Sequence, residues 1–319
     1  MDQKYEKIEF NVERDFSDTF NVSFKFLKQN FKPLLKTLLY LVGPFLFLSA
    51  LLNGIFTQNS FDISSMISGG TSPLSMLGPV YFFTIITSII SGITLVGVTF
   101  EYIVLYEEKG YKGFDVKDVW QAFVKDLGRI TGAFFGLLLV GIVLVIVLGI
   151  IIGLFSIMGT AGGIIIGLLM VIGLFIIGLP FAFVFIAVYL IVIREKIGFW
   201  AALSKARFLL KGNFWNTWVV IFIAYLIVGI IGVIFVIPQS IVTGLVTFNS
   251  IQNGVSDYSI LLIVFTTIGV FGASLVNALL YIMISFQYYS LNEQKQGTGL
   301  LSQIDSIGAD NSKDEDITI

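Results

Sequence analysis

The stretch ITGAFFGLLLVGIVLVIVLGIIIGLFSIMGTAGGIIIGLLMVIGLFIIGLPFAFVFIAVYLIVI, Ile130–Ile193, carries no charged residue between Arg129 on one side and Arg194 on the other. A bilayer core about 30 Å thick is crossed by about 20 apolar residues in α-helix, so this run is too long for one span and suits two. The tract SIMGTAGG, Ser156–Gly163, supplies the turn between them. Spans are therefore expected at about 130–155 and 164–193.

The rest of the chain reads the same way. It is 56% hydrophobic and 13% charged, with 31 Phe and a mean hydropathy of +0.93, far from the balance of a soluble domain. Runs of sufficient length and low charge recur at about 34–56, 78–106, 215–246 and 258–289. The expected fold is an all-α polytopic membrane protein of six spans, a single membrane domain over 1–291.

Orientation follows from the cations. All 19 Lys and Arg fall in four segments: the N-terminal part through Lys36, Lys109 to Arg129, Arg194 to Lys211, and the tail at Lys295 and Lys313. The connections around 57–77, 156–163 and 247–257 contain none, so both termini and the two basic loops are expected in the cytoplasm. Trp120, Trp200, Trp215 and Trp218, with Tyr102, Tyr106, Tyr189, Tyr288 and Tyr289, fall near that same side and read as an interfacial aromatic belt. The opening MDQKYEKIEFNVERDF has no apolar core of a cleavable signal peptide. Beyond the last span, 292–319 is polar and acidic and reads as a disordered cytoplasmic tail.

Each long basic segment also carries helical apolar spacing just before a span. Phe20, Phe24, Leu27 and Phe31 recur at steps of four, three and four, with Ser17 or Asp18 available as N-cap. Val116, Trp120, Phe123 and Leu127 repeat those steps, and Leu203, Leu210 and Phe214 keep the register with Arg207 in the gap. Interfacial helices are expected at about 17–30, 115–127 and 198–211, so the chain reads as three units of surface helix plus two-span hairpin. LKQNF (Leu27–Phe31) matches LKGNF (Leu210–Phe214), where Gly212 can close a helix left-handed and Asn213 can cap the next. Such helices lie in the headgroup plane with cations toward anionic lipid. They serve either as packing and orientation elements or as a docking platform, with Lys205, Arg207 and Lys211 the candidate lipid or partner contacts.

Inside the spans, small residues at four-residue spacing, Gly132 with Gly136 and Gly163 with Gly167, are expected to bring the third and fourth helices into close contact. Pro44, Pro180 and Pro238 predict kinks. Glu101 is an acidic residue within a span, a little over one turn from its basic end. It is read as reaching headgroups or a loop cation, against a coupling or proton site. Asn277 lies nearer mid-membrane and is read as an interhelical hydrogen-bond donor or acceptor.

Chemistry is scarce. The chain has no His and no Cys, which removes the commonest general base and the imidazole and thiolate metal ligands. It contains no P-loop, no GxSxG and no HExxH. No catalytic residue, metal or cofactor is expected, and a net charge of −2 argues against nucleic acid as partner.

The phrase AALSKARFLLKGNFW, Ala201–Trp215, resembles the signature of a bacterial six-span family named for the membrane domain of glycerophosphoryl diester phosphodiesterases, and of related membrane families. In the proteins behind that name, catalysis resides in a separate domain with metal-binding carboxylates and histidines. The resemblance therefore implies an integral membrane protein and carries no phosphodiesterase activity over. The functional expectation is a non-enzymatic scaffold or accessory subunit of the inner membrane that binds a partner or organises lipid. The alternative is a transporter or channel for a small solute or lipid.

Overall fold

The computed structural model describes residues 8–60, 78–156, 159–253 and 259–297. Among the described residues every regular element is an α-helix: α1 (Phe16–Leu41), α2 (Gly43–Ser60), α3 (Pro79–Lys109), α4 (Val116–Ser156), α5 (Gly159–Glu195), α6 (Phe199–Leu210), α7 (Phe214–Asn253) and α8 (Ser259–Gln296). Five are long and apolar enough to cross a membrane, or six if α1 and α2 together form one broken span. The all-α class is as expected, and the architecture is compatible with a polytopic membrane protein.

The starts of α1 and α4 are set by short carboxylates. The Asp15 carboxylate accepts the Asp18 N–H at 2.8 Å, and its carbonyl accepts the Thr19 N–H at 3.1 Å, so Asp15 caps α1 in place of Ser17 or Asp18. Asp115 does the same for α4: it accepts from the Asp118 N–H at 3.0 Å, while the Asp118 carboxylate accepts the Asp115 N–H at 2.9 Å. That reciprocal pair is a capping box built from two aspartates.

The expected division into surface helix and span holds in one unit and fails in two. In the first, α1 runs through Pro33 to Leu41, and the break comes at Val42, where α1 and α2 diverge by 62°. The reason lies in Pro44. Its missing N–H is harmless in the first turn of α2, where donors have no intrahelical partner, so the chain restarts a helix there. The ladder continues around it through Val42 N–H to Leu38 O and Leu46 N–H to Val42 O, both 2.9 Å. In the second unit, 115–127 and 130–155 form one helix, α4, of 41 residues and about 60 Å. Gly128 at the expected junction costs about 1 kcal/mol in a helix, too little to break a continuous ladder. The third unit follows expectation: α6 ends at Leu210 and Gly212 turns the chain at φ 85°.

The hydrophilic boundaries also shift. The tail expected from 292 begins later, because α8 continues to Gln296 with Asn292 and Glu293 buried. Residues 298–319 of that tail lie outside the described residues, as do 61–77 and 254–258 of the expected connections. Of the turn expected over 156–163, residues 157–158 lie outside the described residues, and α5 already starts at Gly159.

The chain divides into two compact units. The first comprises the N-terminal segment through Gln29, Gly132–Phe222, and the chain from Ile282 onward. Its centre is the end of α8, where every residue from Ile282 to Glu293 is buried. Phe10 stacks on Phe286 with centroids 5.3 Å apart and meets Phe26 and Tyr289 edge-on, beside the buried run Leu190–Ile193 of α5. The second unit comprises Asn30–Thr131 and Ile223–Tyr281. Its most buried run is Leu95–Tyr106 of α3. Gly97 lets the Phe123 ring and Ile130 come against the α3 backbone, and Gly54 of α2 meets the backbone of Ile263 in α8.

Candidate functional site

The densest polar arrangement sits in the first unit, around the end of α8. Arg14 is its N-terminal member. The guanidinium donates to the carbonyls of Phe10 at 2.9 Å and Val12 at 3.2 Å and to that of Glu9, folding Glu9–Arg14 into a compact arm, and it lies over the Phe286 ring at 5.7 Å. Burial pulls its pKa down from the usual arginine range, with the charges of Glu9 and Asp18 opposing, and an arginine so shifted still stays charged. Ser290 fastens the arm by both backbone groups of one residue: its hydroxyl accepts the Arg14 N–H at 2.9 Å and donates to the Arg14 carbonyl at 3.0 Å.

The end of α5 contributes an adjacent cation and anion. Arg194 donates to Asn11 Oδ1 and to Tyr288 Oη, each at 3.3 Å, and lies 4.8 Å from the centroid of the Tyr289 ring. Glu195 accepts the Tyr288 hydroxyl at 2.5 Å and pairs with Lys205 of α6 at 2.7 Å. Lys205 also donates to Gln296 Oε1 at 3.2 Å, and Asn213 donates its amide to Gln294 Oε1 at 2.7 Å. The N-terminal arm, α5, α6 and the turn after it are thus all tied to the last turns of α8. Chemically this is a lattice of charge-assisted hydrogen bonds, in which cation and carboxylate stabilise each other and fix α6 in position.

That geometry separates the three candidate contacts of α6. Lys205 is held inward by Glu195 and Gln296, whereas Arg207 and Lys211 are exposed. On the buried face, Ala202, Leu203, Ala206, Leu209 and Leu210 pack inward. The opposite face carries Trp200 at 67% exposure and Phe208 at 51%, with Trp215 at 66% just past the turn.

The aromatic belt needs correction. Trp120, Trp200 and Trp215 are exposed as expected, but Tyr102, Tyr106, Tyr288 and Tyr289 are buried. Their hydroxyls give the reason. Tyr102 donates to Asn30 at 3.0 Å and Tyr288 to Glu195, so protein acceptors replace headgroups.

Glu101 is 1% exposed, within the buried run of α3, so it does not extend to headgroups. Asn277 donates within its own helix, to the Ala273 carbonyl at 3.3 Å, rather than across to a neighbour. The glycine contacts also fall elsewhere than expected. Around Gly132 and Gly167 no described atom would meet an added Cβ within 4 Å, and both are exposed. Gly163 lies in α5, with its surroundings outside the described residues. Of the three glycines whose surroundings are described, Gly136 alone is tightly packed, and its neighbour is the Phe199 ring of α6, which would lie 2.5 Å from a Cβ. Four-residue spacing marks a helix face that permits close approach, and here aromatic rings use such permission more than helix backbones do.

Sequence reasoning passed over Arg14 as an anchor, and Asn11, Glu195 and Ser290 altogether, and read Arg194 only as a topology cation and Tyr288 only as part of the aromatic belt. A signal exists in hindsight at the helix ends: Glu108-Lys109-Gly110, Glu195-Lys196-Ile197-Gly198 and Glu293-Gln294-Lys295-Gln296-Gly297 close α3, α5 and α8. Each end contains a residue with positive φ, at Gly110, Lys196 and Gly297. In the second unit, Ser49 and Ser88 share a hydrogen bond at 3.0 Å, Asn53 donates to the Ser49 carbonyl at 2.8 Å, and Thr84 reaches the Leu52 carbonyl at 3.3 Å. They form a short polar row between α2 and α3. Compared with protein-family models, curated proteins and solved structures, the chain gives no match.

Proposed function

We propose that the chain is a non-enzymatic scaffold or accessory subunit of a bacterial cytoplasmic membrane, with both termini in the cytoplasm, where it binds a protein partner or organises lipid. The observation that carries this reading is the fixing of α6. Glu195, Lys205, Gln296, Asn213 and Gln294 use their polar groups on one another, and the result is a rigid surface helix with a cationic and aromatic outer face. A rigid presenting helix suits recognition, because less conformational freedom is lost on binding.

The second reading, a transporter for a small solute or lipid, is favoured by the row of Ser49, Asn53, Thr84 and Ser88 along α2 and α3. Purification in mild detergent, followed by identification of co-purifying proteins and by flux assays in liposomes, separates the two. A stoichiometric protein partner is the expected result. Solute flux by the isolated chain, abolished by Ser88→Val, would sink the scaffold reading in favour of transport.

A further inference from the structure

On a helical wheel the residues of α6 fall into two arcs. Ala202, Leu203, Ala206, Leu209 and Leu210 share the buried arc, and Trp200, Ser204, Arg207 and Phe208 share the opposite one, with exposed Lys211 following just past the helix end. The exposed face begins with Trp200 and ends with Lys211 beside the turn at Gly212, where Trp215 stands out again. Lys295 of α8 joins it, with its ammonium 5.8 Å from the centroid of the Phe208 ring. Glu195, the carboxylate of this lattice, is already paired with Lys205 at 2.7 Å. Three exposed cations, Arg207, Lys211 and Lys295, are therefore left among three exposed aromatics with their charge uncompensated by that group.

We propose that this face, together with the turn into α7, is a headgroup site for an anionic phospholipid. Trp and Phe rings favour the boundary between headgroups and acyl chains. Arg207 can hold a phosphate through two parallel N–H donors, while Lys211 and Lys295 supply point charge from the turn. Ser204, between Trp200 and Arg207 on the same arc, adds a hydroxyl that can donate to a headgroup oxygen. Lys205 is excluded from the site because Glu195 and Gln296 hold it on the inner side. The inference rests on reading the chain as a membrane module and names the lipid class its surface helix takes.

The test uses the purified full-length chain in mild detergent, titrated separately with phosphatidylglycerol and phosphatidylcholine, with bound lipids counted by native mass spectrometry. The wild type retains phosphatidylglycerol preferentially, and the preference falls as salt is raised. In R207A/K211A it weakens by about thirty-fold, from about 1 kcal/mol for each surface cation removed, while R207K keeps most of it. The two side chains are exposed, so the double variant should melt with the wild type in phosphatidylcholine, which separates lost binding from lost folding. An unchanged preference in R207A/K211A overturns the proposal. So does a double variant that keeps its lipids and instead loses a stoichiometric protein partner. Because lipid counting uses the isolated chain, absence of any partner defeats the scaffold reading without touching this one.

Discussion

Glycine 272 and glycine 132 look alike in the sequence, each in an apolar helix, yet they occupy opposite situations. A Cβ on Gly272 would lie 2.1 Å from the Phe235 ring, and one on Gly132 would meet no described atom within 4 Å. Gly272→Ala is accordingly expected to destabilise by about 1–3 kcal/mol through overpacking. Gly132→Ala should leave the thermal midpoint in detergent unchanged or slightly raised, since alanine favours helix. Equal midpoints for the two variants would contradict the packing described. Asp115 offers a second residue-level expectation, this time in pH. The Asp118 N–H, opposed by desolvation and helped by the Lys117 N–H, the Asp118 side chain and the Lys117 charge, holds the Asp115 carboxyl below its usual range. A carboxylate whose pKa is depressed on folding stabilises fully above its unfolded value, near pH 4, and that contribution is lost as pH falls through the lower folded value. Amide exchange at Lys117–Val119 should therefore be slow at pH 5 and above and lose protection below pH 4. In Asp115→Asn the protection should show little pH dependence beyond the intrinsic exchange rate.

At the level of elements, the helices were legible and their junctions were not. Hydrophobic runs and the positions of Lys and Arg locate the helix bodies well, because an apolar face twenty residues long has few other uses. Junctions depend on one or two residues whose effect is settled by what surrounds them. Pro33 is tolerated inside α1 and Pro44 ends it, although both read as breakers; Gly128 leaves α4 whole and Gly212 closes α6. The capping aspartates could have been read, since Asp15 and Asp18 stand at the same spacing as Asp115 and Asp118. The buried lattice could not. Its members come from the two ends of the chain and from its middle, and no local pattern links Arg14 to Ser290 or Asn11 to Arg194. The arm itself is open to test. Arg14→Ala removes a part-buried charge-assisted set of bonds, each worth about 1.5–3 kcal/mol, so amide protection of Asn11–Asp15 should drop by ten-fold or more in hydrogen exchange. Arg14→Lys cannot reach three carbonyls with a planar fork and should fall between. Unchanged protection in Arg14→Ala would mean that Phe10, the Asn11–Arg194 bond and the Ser290 bonds to the backbone of residue 14 hold the arm without the guanidinium.

For the molecule as a whole, the distribution of charge makes a prediction about sidedness. The chain has no cysteine of its own, so single cysteines report position without background. Ser204→Cys on α6 is expected to react with a membrane-impermeant maleimide only after the cells are opened. Ser65→Cys, in the connection that carries no Lys or Arg, should react in intact cells. Labelling of Ser204→Cys from outside would invert the orientation. The double hydrogen bond between Arg14 and Ser290 joins residues 276 apart in the chain. At about 5–20 residues per second of synthesis, roughly 15–55 s pass between the emergence of Arg14 and that of its partner. Throughout that interval Phe10 has no Phe286 or Tyr289 to pack against. The arm must wait for the last turns of α8 to be made before it can dock, and until then this charged segment, with Phe10 uncovered, is within reach of chaperones and proteases.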